Sequence, residues 1–329
     1  MIGDEEDEHV VVTAASYKAI LKPGGGTCLI VLMQVVMIMF VVCNIGANYT
    51  IQLWAYSSPE KQKEKFEFFL AIVLAFSFGM AIFIFLRVGV LMLAQLKTSK
   101  FLHNNLITRV FQAPVNLFFD ITPIGKILNR FSRDLSVVDE QIFFDFGTIL
   151  ACFYSALSAL IVAGFAVPWM LILIVIYVIA CVWLFLYAVP GYKDSFRLIT
   201  VSMSPILSFF QETFSGGSVV RAFRKEEQFE ERALHLIDRC AAACLITSGI
   251  WCWVSLRLSF LSNLMLAAAC AVCVLFRGSV SSIQLSLMLQ YLLTLQGWTV
   301  YLLIFYGEIE RKMVSVQRLL DLREIEQEA

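Results

Sequence analysis

Long hydrophobic runs, rather than an alternation of hydrophobic and polar positions, dominate this chain. Six runs are long enough for a helix to cross a bilayer, which takes about 20 residues. They lie at about 27–51, 68–96, 143–166, 168–189, 250–276 and 284–306. The second run is longer than a straight crossing needs, so its helix must tilt or project beyond the membrane. The third and fourth runs meet at Val167-Pro168, where proline breaks a helix and predicts a tight antiparallel hairpin.

The two long polar connections, 97–142 and 190–249, also carry helical patterns. The first contains apolar residues at helical spacing, namely Ile127, Leu128, Phe131, Leu135 and Val138. The second mixes charged positions in 221–232 with Phe223, Phe229, Leu234 and Ile237, which is typical of a charged helix with one buried side. We therefore expect spans two to five to continue as helices far beyond the membrane.

Two segments interrupt these connections, and we call Pro114–Asp120 the first tip segment and Ser204–Glu212 the second. Each begins with or just before a proline, and each is expected to break its helix. Their large apolar residues are Leu117, Phe118 and Phe119, then Ile206, Leu207, Phe209 and Phe210. Exposed apolar clusters usually mark partner surfaces. The alternative is that these residues fold back on their own bundle.

Composition restricts the class of protein. Of 329 residues, 59% are hydrophobic and 16% charged, whereas soluble domains are about half apolar and a quarter charged. This excludes a disordered chain, a collagen and a small disulfide scaffold, and leaves a multi-pass membrane protein in contact with lipid. The net charge of −1 indicates no nucleic-acid partner. Most of the nine cysteines lie in apolar runs, where cysteine acts as a small hydrophobic residue, so no metal site is expected.

The positions of lysine and arginine predict the orientation. The connections 97–142 and 190–249 carry six and seven basic residues, and four more follow span six. By the positive-inside rule, both termini and both long connections are expected in the cytoplasm. The sequon Asn48-Tyr49-Thr50 then falls on the outer side, close to the membrane, and whether it is glycosylated stays open. A plasma membrane or a vacuolar or lysosomal type of membrane is expected.

Several stretches resemble one family. Residues 113–139, APVNLFFDITPIGKILNRFSRDLSVVD, resemble the first intracellular loop in the second membrane domain of multidrug-resistance-associated (C-subfamily) ABC transporters. Residues 204–231 resemble the second loop, and 313–329 resemble the exit from span six towards a nucleotide-binding domain. Tyr17 followed by Gly24-Gly25-Gly26 fits the family's N-terminal elbow helix.

The resemblance implies an all-α membrane protein with the six-helix ABC type-1 exporter (type IV) transmembrane domain. It divides the chain into an acidic N-terminus with an elbow helix (1–26), the transmembrane domain (27–312) and a linker (313–329). A second transmembrane half is implied, with spans four and five exchanged between the halves. The chain ends where a nucleotide-binding domain would begin, so we expect a piece of a longer transporter or a separate half.

The resemblance also gives the tip segments a role as coupling helices that bind two nucleotide-binding domains. The residues implied are Leu117, Phe118, Phe119, Asp120, Ile206, Leu207, Phe209 and Phe210. ATP and Mg²⁺ are expected on those partner domains, because no G-x-x-x-x-G-K-[S/T] loop occurs in this chain to hold phosphates. No catalytic, cofactor-binding or metal-binding residue is therefore expected here.

Candidate substrate-cavity residues are the polar and aromatic residues of the spans. Arg87 and Arg257 are intramembrane charges, which are costly to bury and often functional; the alternatives are snorkelling and pairing with a neighbouring helix. The other candidates are Trp253, Asn263, Gln296, Trp298 and Tyr301. Aromatic belts and helix packing use the same residue types.

Two positions depart from the family's glutathione-conjugate exporters, which carry arginines where Cys252 and Ile304 align. A less basic pocket weakens the case for multivalent organic anions and favours neutral or singly charged amphipathic compounds. The sequence thus predicts the membrane half of an ATP-driven exporter of amphipathic small molecules or conjugates. The alternative is a channel-like or regulatory, non-transporting member of the family. At Gly125 we also expect a left-handed or crowded backbone.

Overall fold

The computed structural model describes residues 14–23, 25–275 and 280–322, and every regular element in those ranges is helical. The helices are α1 (Ala14–Leu21), α2 (Gly26–Ala55), α3 (Pro59–Glu64), α4 (Phe66–Phe111), α5 (Ile124–Asn129), α6 (Phe143–Ala166), α7 (Met170–Ser215), α8 (Gly217–Ala222), α9 (Glu226–Leu275) and α10 (Ser282–Asp321). Wider, π-helical turns occupy Val115–Phe119, Arg130–Asp134 and Val137–Ile142.

Six helices in the described ranges are long and apolar enough to cross a membrane, which confirms the predicted all-α, six-span architecture. They are α2, α4, the continuous helix Ile127–Ala166, α7, α9 and α10. Helices α4 and α7 each have 46 residues and α9 has 50. At about 1.5 Å per residue these helices are roughly 70 Å long, more than twice the roughly 30 Å hydrocarbon layer.

The backbone preferences of glycine and of residues before proline explain two turns, one before α2 and one after α6. Gly25, just before α2, and Gly26, the first residue of α2, have φ angles of 123° and 60°, a region that glycine enters without steric cost. Helix α6 ends at Ala166, and the next residue, Val167, is extended with φ −142° and ψ 107°, as expected for a residue before proline. The predicted helix break between spans three and four is therefore present.

The expected helix break in the second tip segment is wrong. Helix α7 runs without interruption from Met170 to Ser215 and contains both Pro190 and Pro205. The break comes at Gly216-Gly217, where α8 begins. A proline removes one backbone hydrogen bond, which neighbouring turns of a long helix can tolerate, whereas two consecutive glycines disfavour helix on both sides.

The expectation for Gly125 is also wrong. Gly125 lies within α5, its φ is not in the left-handed region, and a Cβ built on it would meet nothing within 4 Å. Pro123 explains this, because its carbonyl accepts the Ile127 N–H at 3.4 Å and it stands at the start of α5. Proline favours the first helical turn, so Gly125 has an ordinary helical backbone.

The described residues form two compact units. One, the paired-helix unit, comprises 178–261 and contains most of α7, all of α8 and most of α9. Its two long helices meet through Tyr192 and Trp251, with ring centroids 6.4 Å apart, and through Phe209 and Phe229 at 5.7 Å. The other, the main unit, comprises 14–177 and 262–322.

In the main unit α10 packs along α6, and α2 packs along α4. Its largest buried cluster, which we call the distal core, joins α1, the end of α4, the first tip segment, the start of α6 and the end of α10. Its members are Ile20, Leu102, Leu106, Ala113, Phe118, Leu135, Val138, Ile142, Phe143, Ile309, Met313, Val316, Leu319 and Leu322. A smaller cluster of Met33, Met37 and Val90 joins α2 to α4 within the spans.

Candidate functional site

The first tip segment is a wide helical turn with opposite roles for two neighbouring phenylalanines. The Asp120 N–H donates to the Val115 carbonyl at 3.1 Å, and the Phe118 N–H donates to the Pro114 carbonyl at 3.0 Å. Phe118 is 8% exposed and packs in the distal core, whereas Phe119 is 39% exposed. Their rings meet edge to face at 5.2 Å. One ring therefore anchors the turn while the other faces outward.

Other apolar side chains around this turn are also exposed. They are Phe111, Val115, Ile121, Ile124 and Leu128. Asp120 is exposed, and the side chain of Leu117 lies outside the described residues. Such a concentration of exposed apolar residues is unusual on a solvent-facing surface and is typical of a protein-binding face.

The second tip segment, within α7, divides in the same way. Ile206 and Phe209 are buried, with Phe209 only 6% exposed, whereas Leu207 is exposed and Phe210 is 37% exposed. The Phe209 ring stacks on Phe229 of α9 at 5.7 Å, and the Arg232 guanidinium lies 5.5 Å from the Phe209 centroid. Thus one side of α7 packs on α9, and the other carries exposed apolar side chains, with the Phe210 ring stacked on Phe214 at 6.2 Å.

Trp253 and Arg257 come together in the paired-helix unit. The Arg257 guanidinium lies over the Trp253 ring, 4.1 Å from its centroid. Tyr187 of α7 approaches Trp253 at 6.0 Å, and Trp183 stacks on Tyr187 at 5.9 Å. A cation over an indole ring is attracted by the ring's quadrupole, so the charge of Arg257 is held beside an aromatic row.

The remaining cavity candidates lie in the main unit on three helices. Arg87 of α4 is half-buried, and its Nε is buried without a hydrogen-bond partner among the residues described. Asn263 is exposed on α9. On α10, Gln296 and Trp298 are half-buried and Tyr301 is exposed. The structure thus joins Trp253 to Arg257 and leaves Arg87, Asn263 and Tyr301 on separate helices.

The sequence did not predict a buried ion pair that joins α6 to α10. Lys312 Nζ of α10 lies 2.6 Å from Asp145 Oδ2 of α6, and the side chains are 11% and 4% exposed. Glu308 Oε2 is 3.9 Å from the same ammonium. The signal was present, because Asp145 is the one acidic residue in the run 143–166. An acidic residue in a predicted span calls for a partner.

Helix α1 is fastened to α10 by hydrogen bonds that the sequence did not predict. The Tyr17 hydroxyl donates to Glu310 Oε1 at 3.2 Å, and Ser16 donates to Gln317. Burial and then the Glu310 carboxylate raise the pKa of Tyr17, because both disfavour the phenolate. The hydroxyl therefore stays protonated and continues to donate. A further cluster of Asn44, Asn48, Gln290 and Tyr291 joins α2 to α10.

Metal ligands are not grouped in the described ranges: no cluster of three or more His, Cys, Asp or Glu side chains there could hold a metal ion. Within each unit the described residues make apolar and aromatic contacts, and the main unit adds buried polar pairs such as Asp145–Lys312.

Comparisons with known proteins identify a transporter family. The ABC transporter transmembrane region family matches residues 26–298. The chain is 29% identical over 332 residues to ABC transporter C family member 7 of Arabidopsis thaliana, covering 100% of the chain and 22% of that protein. It is 30% identical over 234 residues to ATP-binding cassette sub-family C member 2 of Mus musculus, covering 70% of the chain and 15% of that protein.

A third relative is ABC transporter C family member 13 of Arabidopsis thaliana, 34% identical over 242 residues, or 71% of the chain and 17% of that protein. The chain therefore spans no more than 22% of the length of these three relatives.

Proposed function

The chain belongs to the ABC transporter transmembrane family, with C-family transporters among its relatives, and we propose that it works as one membrane half of an ATP-driven exporter. The exporter moves amphipathic small molecules or conjugates across a plasma membrane or a vacuolar or lysosomal type of membrane. This proposal rests on one observation. In each tip segment one phenylalanine is buried and the adjacent phenylalanine is exposed.

In this proposal the tip segments are coupling helices that bind two nucleotide-binding domains. The exposed Phe119 and Phe210 enter apolar grooves on those domains, which carry ATP and Mg²⁺. Phe118 sits in the distal core with residues of α1, α4, α6 and α10, and Phe209 stacks on α9. A displacement of either tip is thereby passed to helices that cross the membrane, which suits a two-state rocking motion.

We propose further that both termini and the two long connections are cytoplasmic, as the distribution of basic residues favours. A second transmembrane half completes the exporter. In this proposal spans four and five are exchanged between the two halves.

The proposed substrate is a neutral or singly charged amphipathic compound. Trp253 and Arg257 offer an aromatic face beside one positive charge, which fits a flat apolar group with at most one anionic substituent. Cys252 and Ile304 add no charge. The other predicted cavity residues, Arg87, Asn263, Gln296, Trp298 and Tyr301, remain part of this proposal.

The tip assignment is tested with Phe119→Asp and Phe210→Asp. Exposed rings are chosen because an aspartate in place of buried Phe118 or Phe209 would unfold the chain as well as disturb binding. The matched control is Leu234→Asp, because Leu234 is 54% exposed and lies on α9, outside both tip segments. Inside-out vesicles carrying the full assembly are assayed for ATP-dependent uptake of a neutral fluorescent amphipath and of a glutathione conjugate.

We expect both tip variants to reach normal abundance and lose at least about tenfold in uptake, which corresponds to roughly 1.4 kcal/mol or more of lost binding free energy. The Leu234 variant should transport normally. Normal uptake in both tip variants would reject the docking assignment. If the wild-type chain retains bound ATPase subunits yet shows no ATP-dependent uptake of either probe, the channel-like or regulatory alternative replaces the exporter.

A further inference from the structure

The sequon Asn48-Tyr49-Thr50 lies inside a helix rather than on a loop. All three residues belong to α2, which continues to Ala55. Thr50 is buried, and its hydroxyl donates to the Gly46 carbonyl of the same helix at 2.7 Å. Glycosylated asparagines normally stand on accessible surface segments, so this setting is unfavourable for a glycan.

The Asn48 amide is engaged at both of its polar atoms. Its Nδ2 lies 3.0 Å from the Asn44 carbonyl oxygen and 3.1 Å from the Tyr291 hydroxyl of α10. Its Oδ1 accepts from Gln290 Nε2 at 3.0 Å. N-glycosylation replaces one Nδ2 hydrogen with a sugar carbon, which would remove a donor and place a bulky group between α2 and α10.

Tyr291 closes the network. It is buried, and its hydroxyl donates to Asn44 Oδ1 at 2.8 Å. Asn44 Nδ2 also lies 3.6 Å from the sulfur of Met80 in α4. We call Asn44, Asn48, Gln290 and Tyr291 the amide cluster. These four side chains satisfy one another by hydrogen bonds, and Gln290 is the exposed member.

A second set of hydrogen bonds joins α1 to α10 farther along α10. Tyr17 and Ser16 of α1, which directly precedes α2, bind Glu310 and Gln317 of α10. Tyr291 and Glu310 lie 19 positions apart on α10, which is about 29 Å at the helical rise. The α1–α2 arm is thus attached to α10 at two levels separated by about one hydrocarbon thickness.

We propose that Asn48 is not a glycosylation acceptor and that the amide cluster instead clasps span one to span six. With the α1 contacts, the clasp makes α1, α2 and α10 one rigid body. That this body moves as a whole during transport rests on the proposed function, whereas the clasp itself does not depend on transport.

The test separates the sequon from the amide. Thr50→Val destroys the sequon but keeps the Asn48 amide and the shape of residue 50. Asn48→Ala destroys both, and Tyr291→Phe removes only the bridging hydroxyl. Each full-length chain is expressed in membranes, treated with peptide N-glycosidase, and compared by gel mobility. The thermal midpoint of the detergent-solubilised protein is measured in parallel.

We expect no mobility shift on glycosidase treatment of any chain. Asn48→Ala and Tyr291→Phe should lower the thermal midpoint by several degrees, and Thr50→Val by distinctly less. A glycosidase-sensitive wild type whose shift disappears in Thr50→Val would overturn the proposal. So would midpoints for Asn48→Ala and Tyr291→Phe that match that of Thr50→Val. If Asn48→Ala does not accumulate in membranes, the thermal midpoint of Tyr291→Phe tests the clasp by itself. Neither readout measures transport, so the failure of one proposal leaves the other standing.

Discussion

Phe118 and Phe119 occupy adjacent positions and have the same side chain, yet one is buried in the distal core and the other is exposed. Phe209 and Phe210 repeat the contrast on α7. In α7 the cause is the α-helical repeat, which turns successive side chains by about 100° and directs neighbours to different surfaces. The wider turn at Val115–Phe119 separates its two phenylalanines in the same way. The proposed docking role therefore falls on the exposed Phe119 and Phe210.

A prediction at this scale concerns Gly46 of α2. A Cβ at this position would lie 2.7 Å from the Phe76 ring of α4, closer than carbon atoms approach in proteins. Gly46→Ala should therefore cost about 1–3 kcal/mol through overpacking and lower the thermal midpoint of the solubilised protein. Gly89→Ala is the control, because nothing lies within 4 Å of its Cβ. Equal midpoints for the two variants would show that α2 and α4 are not this close.

At the scale of elements, α10 connects most of the main unit. Its inner surface meets α6 through Lys312 and Asp145, and its backbone carbonyl at Arg318 accepts from Arg130 Nη1 at 2.7 Å. Tyr17 attaches α1 to the same helix. Helix α10 therefore links α1, α6 and the distal core.

The Asp145–Lys312 pair gives the prediction for this scale. Asp145→Asn leaves the buried Lys312 ammonium with only the more distant Glu308 carboxylate, 3.9 Å away, and should cost up to about 3–5 kcal/mol. Adding Lys312→Met removes the stranded charge and should restore most of that loss. The wild type, Asp145→Asn, Lys312→Met and the double variant are compared by membrane yield and thermal midpoint. Strictly additive losses in the double variant would mean that the two charges do not stabilise the fold as a pair.

At the scale of the whole molecule, helix length and charge distribution act together. Helices α4, α7 and α9 are too long to be contained within a bilayer, and the basic residues concentrate in their connections 97–142 and 190–249. Charged helical extensions are stable in water, whereas the apolar runs require lipid. Both properties support the proposal that the connections 97–142 and 190–249 lie outside the lipid.

The orientation is tested in intact cells with two probes. An epitope tag inserted into α3 (Pro59–Glu64), whose residues are not buried, should react from outside. An antibody to residues 224–232 should react only after the membrane is permeabilised, since the positive-inside rule places that segment in the cytoplasm. Reaction of residues 224–232 on unpermeabilised cells would reverse the proposed topology. On an immunoblot the same antibody distinguishes a 37.2 kDa chain from a longer polypeptide.

Much of the fold followed from the sequence, because crossing a bilayer depends on local and additive properties. Six runs of apolar residues and a proline after Val167 were enough to predict six spans and a break between the third and fourth. The residue types of the tip segments did not predict that Phe118 and Phe209 are buried while Phe119 and Phe210 are exposed. The position of the break in α7 was not, since it depends on whether Pro205 or Gly216-Gly217 disrupts the helix more.

By itself, the sequence determined the class of protein, the number of spans and the family resemblance, since each is carried by residues close together in the chain. Only the tertiary structure decided which residues meet across the spans. Asp145 and Lys312 are 167 positions apart, and Asn48 and Tyr291 are 243 apart. Whether such residues touch depends on the rotation and register of whole helices against one another, which side-chain packing sets and no local pattern records.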